Sequence, residues 1–388
     1  MRTARRIDNL PPYLFASLDR RIAEARGRGV DVISFAIGDP DRPTPANVVE
    51  AAAAAVRDPA THRYPSYYGM PELRRAIAGY YRRRFGVELD PESQVLPLIG
   101  SKEGIANLAT AFVDPGDVVL VPDPGYPVYA TSAILAGGRP ALVELSPGDG
   151  FQPRLDQVSD QDAGAARILW LNYPNNPTSA VAGPDTFARA VGFCRTYDLL
   201  LAHDAAYVDV AYDGYVAPSV LQTPGAVDVA LEFGSLSKTY NMTGWRIGWA
   251  VGSPVAVEAL GRVKTNIDSG IFNALQRAGI EALQGPQEAV AASCEVYRRR
   301  RDLLVDGLNA AGWVLSPPRA AIYVWAPTPD GESSGEFADF LLEAAGVVVA
   351  PGAGYGPHGE GYVRFSLTLD DDRLAEGVDR IARALKER

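Results

Sequence analysis

With two cysteines and three histidines among 388 residues, the chain has little material for a disulfide scaffold or a metal centre, and its four lysines leave a short list of candidates for covalent chemistry. Cys194 and Cys294 stand far apart in helix-like stretches, which excludes a disulfide framework and suits a reducing compartment. His62, His203 and His358 fall in no H-E-x-x-H pattern, so no metal site is expected. A formal charge of -10 argues against a nucleic-acid partner, since neutralising phosphates takes clustered positive charge. The arginine runs Arg82 to Arg84 and Arg298 to Arg301 lie in helical-looking segments and read as solvated or dimer-facing surface. No stretch approaches ~18 apolar residues, and the N-terminal M-R-T-A-R-R-I-D-N-L-P-P-Y-L-F lacks the apolar run of a secretory signal. A cytoplasmic protein with no membrane association is the expectation.

What is present is a large apolar fraction, 47% hydrophobic against 22% charged, enough for a substantial core. From about residue 90 to 250, continuous apolar runs alternate with helix-period segments, the pattern of β-α-β units in a mostly parallel sheet covered on both faces. Strands are predicted at Val118 to Pro122, Arg167 to Tyr173, Leu199 to Asp204, Val229 to Leu236 and Ile247 to Gly252. Helices are predicted at Ser101 to Phe112 and Asp185 to Tyr197. A long helical stretch from Asn273 to about Ala311, broken at Gln284 to Gln287, bridges to a smaller α+β unit. That unit has strands at Ile322 to Trp325, Val347 to Ala350 and Tyr362 to Leu367, and helices at Ser334 to Ala345 and Asp372 to Lys386. The expected class is α/β, with residues 1–39 as an N-terminal arm belonging to the smaller unit, 40–284 as the large unit and 285–388 as the small one.

Ligands of open α/β sheets bind at the carboxyl ends of the strands. There the sequence places Gly100, Ser101 and Lys102; Asp123, Gly125 and Tyr126; Asn175 and Asn176; Asp204 and Tyr207; and Ser235, Ser237 and Lys238. A lysine forms an imine with an aldehyde cofactor only when deprotonated, which burial or neighbouring positive charge favours. Lys238, just past an apolar strand and eight residues before Arg246, meets that condition better than Lys102, Lys264 or Lys386, although a surface-turn lysine explains its local segment equally well. A phosphate would be held by the amides of a helix opening at Gly100, by hydroxyls and by Arg246, while a capping role explains Ser101 as readily. A pyridine nitrogen needs a facing carboxylate, for which Asp204 is suited, and a strand-ending turn accounts for it as well. Tyr207 and Asn176 could donate to a ring oxygen, and Tyr126 could stack on a ring.

Other motifs carry less. S-L-S-K fits the S-x-x-K of serine acyl-transferring enzymes, but the companion S-D-N and K-T-G are absent. G-A-G-Y-G at Gly352 to Gly356 has Pro357 in place of the third glycine of a dinucleotide fingerprint.

Together, Y-P-S-Y-Y-G, G-S-K-E-G, P-D-P-G-Y-P-V-Y, Y-P-N-N-P-T, D-A-A-Y and S-L-S-K-T-Y-N-M-T-G-W-R-I-G resemble, in order and spacing over almost the whole chain, the fold-type I (class I/II) pyridoxal-phosphate-dependent aminotransferases. The resemblance implies a three-layer αβα large domain and pyridoxal 5'-phosphate as cofactor. It makes Lys238 the Schiff-base lysine and proton shuttle, Asp204 the partner of the ring nitrogen, and Asn176 and Tyr207 the contacts of the 3-oxygen. Ser101, Lys102, Ser235, Ser237 and Arg246 would surround the phosphate, and Tyr126 would stack on the ring. Arg364 in Y-V-R-F-S matches the arginine that grips the substrate carboxylate, and Gly38 lies where the N-terminal segment closes over substrate. Tyr64 matches a tyrosine donated across a homodimer with shared active sites.

Within the family, R-I-D-N-L-P-P-Y-L-F and N-I-D-S-G-I-F resemble the LL-diaminopimelate aminotransferase group, with Tyr13 matching its substrate-contacting tyrosine. Amino acids and keto acids such as 2-oxoglutarate are the implied substrates. Tyr67 departs from the plant-type members of that group, which have a glutamate there for the distal ammonium, and Ser179 stands where the family usually has glycine.

Overall fold

The computed structural model describes residues 1–11 and 14–388, and the side chains of residues 14–17 are outside the description. In chain order the strands are β1 (Ile33–Ser34), β2 (Val95–Leu98), β3 (Val118–Asp123), β4 (Arg139–Glu144), β5 (Ala166–Asn172), β6 (Leu200–Asp204), β7 (Ala230–Ser235), β8 (Gly248–Gly252), β9 (Tyr323–Pro327), β10 (Val347–Val348), β11 (Ala350–Pro351) and β12 (Tyr362–Ser366). Seven of them form the central sheet in the order β2-β8-β7-β6-β5-β3-β4. All its pairings are parallel except the two made by β8. Between β4 and β5 the chain returns past β3 and then builds the sheet in the other direction, so the order reverses at β3 and β5. Such a reversal opens a crevice beyond the strand ends.

The apolar runs form these strands because both faces are covered. Every residue of β2, β3, β6, β7 and β8 is buried, with one apolar cluster around Leu169, Leu201 and Ile247 and another around Val119, Trp170 and Phe233. β4 had no counterpart in the sequence reading. It is an edge strand with alternating exposure that begins Arg-Pro, so it offers no continuous apolar run.

β8 decides where the sheet's polar end groups meet. Being antiparallel, it starts where its neighbours finish, with Gly248 opposite both Leu98 at the end of β2 and Ser235 at the end of β7. The helix Ser101–Phe112, the turn holding Arg246 and the Ser235–Lys238 segment therefore share one edge.

β9, β11 and β12 form a second, antiparallel sheet, and β1 pairs in parallel with β10. The single strand expected at Val347 to Ala350 is two short ones, β10 and β11, which break at Val349 and pair with different partners. Helix Asn273–Gln284 and the 23-residue helix Glu288–Ala310 lead from one sheet to the other.

The arginine runs are not simply solvated. Arg300 and Arg301 are each 4% exposed at the side chain: Arg300 is bidentate to Asp41 at 2.7 and 2.8 Å and bound to Asp371, and Arg301 binds Asp213. In the first run, Arg84 reaches Asp209 at 3.1 Å. Helical periodicity turned these residues inward, and acidic partners distant in sequence receive them.

Candidate active site

A cavity of about 450 Å³ lies at the crevice. Gly38, Ser101, Lys102, Tyr126, Asn176, Asp204, Tyr207, Ser235, Ser237, Lys238, Arg246 and Arg364 all line it. Tyr64 does not, being 87% exposed on the surface. Tyr67 is likewise exposed, and Tyr13 lies outside the described residues.

Lys238 sits in the one-turn helix Leu236–Thr239, whose start is capped by Ser235, the Oγ accepting from the Ser237 amide at 3.1 Å. Its Nζ donates to the Gly38 carbonyl at 2.6 Å. Burial pushes the Lys238 ammonium below the usual lysine range and the Arg364 and Arg246 cations add to this, against Tyr323 and Asp39. Burial alone does not single out this lysine. Lys264 lies in helix Pro254–Thr265 and is only 1% exposed. Its Nζ is engaged by both oxygens of Asp268, at 2.8 and 2.7 Å, whereas Lys238 meets a neutral carbonyl in a cavity.

Asp204 ends β6 and is buried. Burial pushes its carboxyl above the usual range, and Tyr129, the His203 charge and the Ala206 amide pull it back. Tyr129 Oη donates to Asp204 Oδ2 at 2.8 Å, and Asn172 Nδ2 donates to the Asp204 backbone carbonyl at 2.8 Å. Asn172 Oδ1 in turn accepts from the Asn176 amide at 2.7 Å, which ties the Asn176 turn to the end of β6. Burial also raises the Tyr207 phenol well above its ordinary range, and its hydroxyl shares a 2.8 Å hydrogen bond with Tyr323.

The helix Ser101–Phe112 opens at Gly100, and no side chain caps it. Ser101 is therefore not the capping residue, and it lines the cavity. Gly100 has a φ of 75°, and a Cβ there would fall 2.2 Å from Arg246 Nη2. Arg246 itself has a φ of 56°, a left-handed conformation that a non-glycine residue rarely keeps without a functional constraint. An uncapped helix start, three hydroxyls and a guanidinium make an anion seat.

Arg364, in the middle of β12, is 1% exposed. Nη1 donates to Asn176 Oδ1 and Nη2 to the Ala36 carbonyl, both at 2.7 Å, and the guanidinium lies 4.0 and 4.9 Å from the Tyr323 and Tyr355 rings. Sequence reasoning missed Tyr129, Asn172 and Tyr323. Tyr129 lies in the first turn of helix Val128–Ala136 and Tyr126 precedes that helix, so no shared helix face signalled it; the strand segment I-Y-V-W gave no signal for Tyr323.

A larger cavity of about 640 Å³ lies behind Thr239, lined by Asp209, Tyr240 and Cys294 among others. Its Asp209 is already bonded by Tyr80, Arg84 and Thr239, so its central polar group is satisfied within the protein.

The smaller cavity fits pyridoxal 5'-phosphate by its donor set: an amine whose charge is disfavoured, a buried carboxylate that a protonated nitrogen would stabilise, and an anion seat. The family model for aminotransferase class I and II matches residues 30–381. An LL-diaminopimelate aminotransferase from Desulforudis audaxviator is 58% identical, the match covering 97% of this chain and 96% of that protein. One from Moorella thermoacetica is 53% identical over 99% of each. The substrate-bound structure of BacF from Bacillus subtilis superposes with a TM-score of 0.95 at 34% identity, covering 99% of this chain and 98% of that one. The chain belongs to the class I and II aminotransferases and is a pyridoxal-phosphate-dependent enzyme of the transaminase type.

Proposed function

We propose that this chain transfers the amino group of LL-diaminopimelate to 2-oxoglutarate, using the cavity around Lys238. The observation that carries the site is the convergence of Lys238, Asp204 and Arg364 on one cavity; the substrate rests on the two relatives of that name at 58% and 53% identity. The cofactor, when bound, supplies an electron sink for the electrons left on the substrate α-carbon.

The residues have separable tasks. Arg364, its guanidinium held by Asn176 and Ala36, receives the substrate α-carboxylate in a fixed orientation. Lys238 would hold the cofactor covalently, and as a neutral amine beside the bound donor it would accept and return the α-proton. The same burial that disfavours its ammonium favours the neutral amine, the form that can accept a proton. Asp204 would pair with the ring nitrogen and favour its protonated form. Asn176 and Tyr207 would serve the ring oxygen, and Tyr126 would pack on the ring. Ser101, Lys102, Ser235, Ser237 and Arg246 would hold the phosphate.

The same reading makes the enzyme a cytoplasmic homodimer in which Tyr64 reaches the partner's cofactor; its 87% exposure in the single chain leaves it available for that. It divides the chain into an arm with the small domain (1–39 and 285–388) and a cofactor-binding domain (40–284).

The test mixes purified, cofactor-loaded enzyme with single amino acids and follows the cofactor absorption band. LL-diaminopimelate should convert it and, with 2-oxoglutarate, give equimolar glutamate. Conversion by aspartate, alanine or glutamate but not by LL-diaminopimelate overturns the substrate, and ammonia with pyruvate released in the absence of an acceptor overturns amino transfer.

A further inference from the structure

Asp204 alternates along β6 with His203, so the two side chains leave opposite faces of the sheet. His203 is fully buried, as is Glu232, directly opposite it on β7. His203 Nδ1 lies 2.9 Å from Glu232 Oε2, and Nε2 lies 3.1 Å from the Tyr173 carbonyl. A carbonyl oxygen can only accept, which makes Nε2 a donor. Glu232 receives donors on both oxygens: Tyr81 Oη at 2.8 Å on Oε1, the Val220 amide at 2.9 Å on Oε2, and the single Ser219 hydroxyl hydrogen shared between the two at 2.9 Å. So many donors mark an ionised carboxylate, which leaves Nδ1 as its donor too. Both ring nitrogens therefore carry protons, and a cation sits one residue from Asp204.

We propose that His203 is a positioning residue for amino transfer: as an imidazolium anchored on Glu232, it keeps Asp204 ionised through the sheet and ties Tyr173, at the head of the Asn176 turn, to β6. This rests on the reading of Asp204 as the partner of the cofactor ring. The groups facing the pair are known on every packed element. Against His203 and Glu232 lie Tyr81 from helix Pro71–Phe85, Phe187 from helix Pro184–Tyr197, Ser219, and the Tyr173 carbonyl beyond β5. On the other face, Tyr129, Tyr207 and Lys238 approach Asp204 or share its cavity, and burial raises the Asp204 carboxyl, so a nearby cation opposes that rise.

The first measurement uses unaltered holoenzyme with 15N-labelled histidine. Only three histidines are present, and His62 and His358 are not fully buried. Two protected ring N–H signals from one histidine at neutral pH are expected; a single ring proton on the buried histidine overturns the proposal. The second compares His203→Gln and Glu232→Gln with the parent in kcat against pH and in cofactor dissociation by dialysis. Loss of the cation should move the acid limb up by about one pH unit and weaken cofactor retention below it. An unmoved limb in a folded variant overturns the coupling. Asp204→Asn separates the two readings: if it retains full turnover, the role of Asp204 fails, whatever the histidine signals show.

Discussion

Gly100→Ala should weaken cofactor binding through a residue that makes no side-chain contact of its own. The new Cβ would lie 2.2 Å from Arg246 Nη2 and 2.7 Å from its Cζ. That guanidinium is exposed at the end of a flexible side chain, so it gives way and leaves the anion seat. Losing one charge-assisted phosphate contact, about 1.5–3 kcal/mol, corresponds to roughly a ten- to hundredfold rise in Kd. The backbone cost is separate. Gly100 has φ 75° and ψ 151°, a region essentially reserved for glycine, so folding stability should fall by about 1–3 kcal/mol. Titrating apo-enzyme with cofactor measures the first effect, and denaturant unfolding of the apo form the second. In a cycle with Arg246→Ala, the binding losses should be strongly non-additive and the stability losses additive. A Gly100→Ala enzyme with parental Kd, or fully additive binding losses, would refute the reasoning.

Other substitutions probe separate parts of the account. Arg364→Lys keeps the charge but loses the bidentate fork, so KM for the amino donor should rise tenfold or more with a smaller change in kcat, measured with donor varied at saturating 2-oxoglutarate. Arg300→Met removes the buried guanidinium that bridges the partly exposed Asp41 and Asp371 and should cost about 1.5–3 kcal/mol in denaturant unfolding; a loss under about 0.5 kcal/mol would show the bridge to contribute no more than a surface pair. Hydrogen bonds from Arg373 and Arg380 hold the Asp31 carboxyl down at about 2, against an ordinary 3.8. A carboxyl depressed in the folded state contributes its stability above the ordinary value and loses it as pH falls from 3.8 toward 2. Asp31→Asn should therefore flatten the acid unfolding profile in that window, followed by circular dichroism.

The sequence revealed most where a run of one residue class meets a sharp local signal. The inner strands of the central sheet were legible because double burial makes them continuous apolar runs, while the half-exposed edge strand β4 was not, and Gly100 marked the helix start at Ser101. The break at Val349 was hidden because V-V-V-A-P reads as one strand; only the competing partners β1 and β12 divide it. For the same reason the burial of Arg300, Arg301 and Lys264 was not legible: their partners Asp41, Asp371, Asp213 and Glu103 come from distant segments, and only Asp302 and Asp268 are close by. Within the site, Lys238, Asp204 and Arg246 stood at strand ends that could be read directly. Tyr323 and Asn172 became visible only when a strand of the second sheet and the end of β5 met at the cavity.

The most direct test of the central claim is to reduce the cofactor-loaded enzyme with borohydride and map its peptides by mass spectrometry. With only four lysines, the assignment is unambiguous. The account predicts the cofactor mass on the peptide containing Lys238 and on no other; its appearance on Lys102, Lys264 or Lys386, or on no lysine, would contradict it.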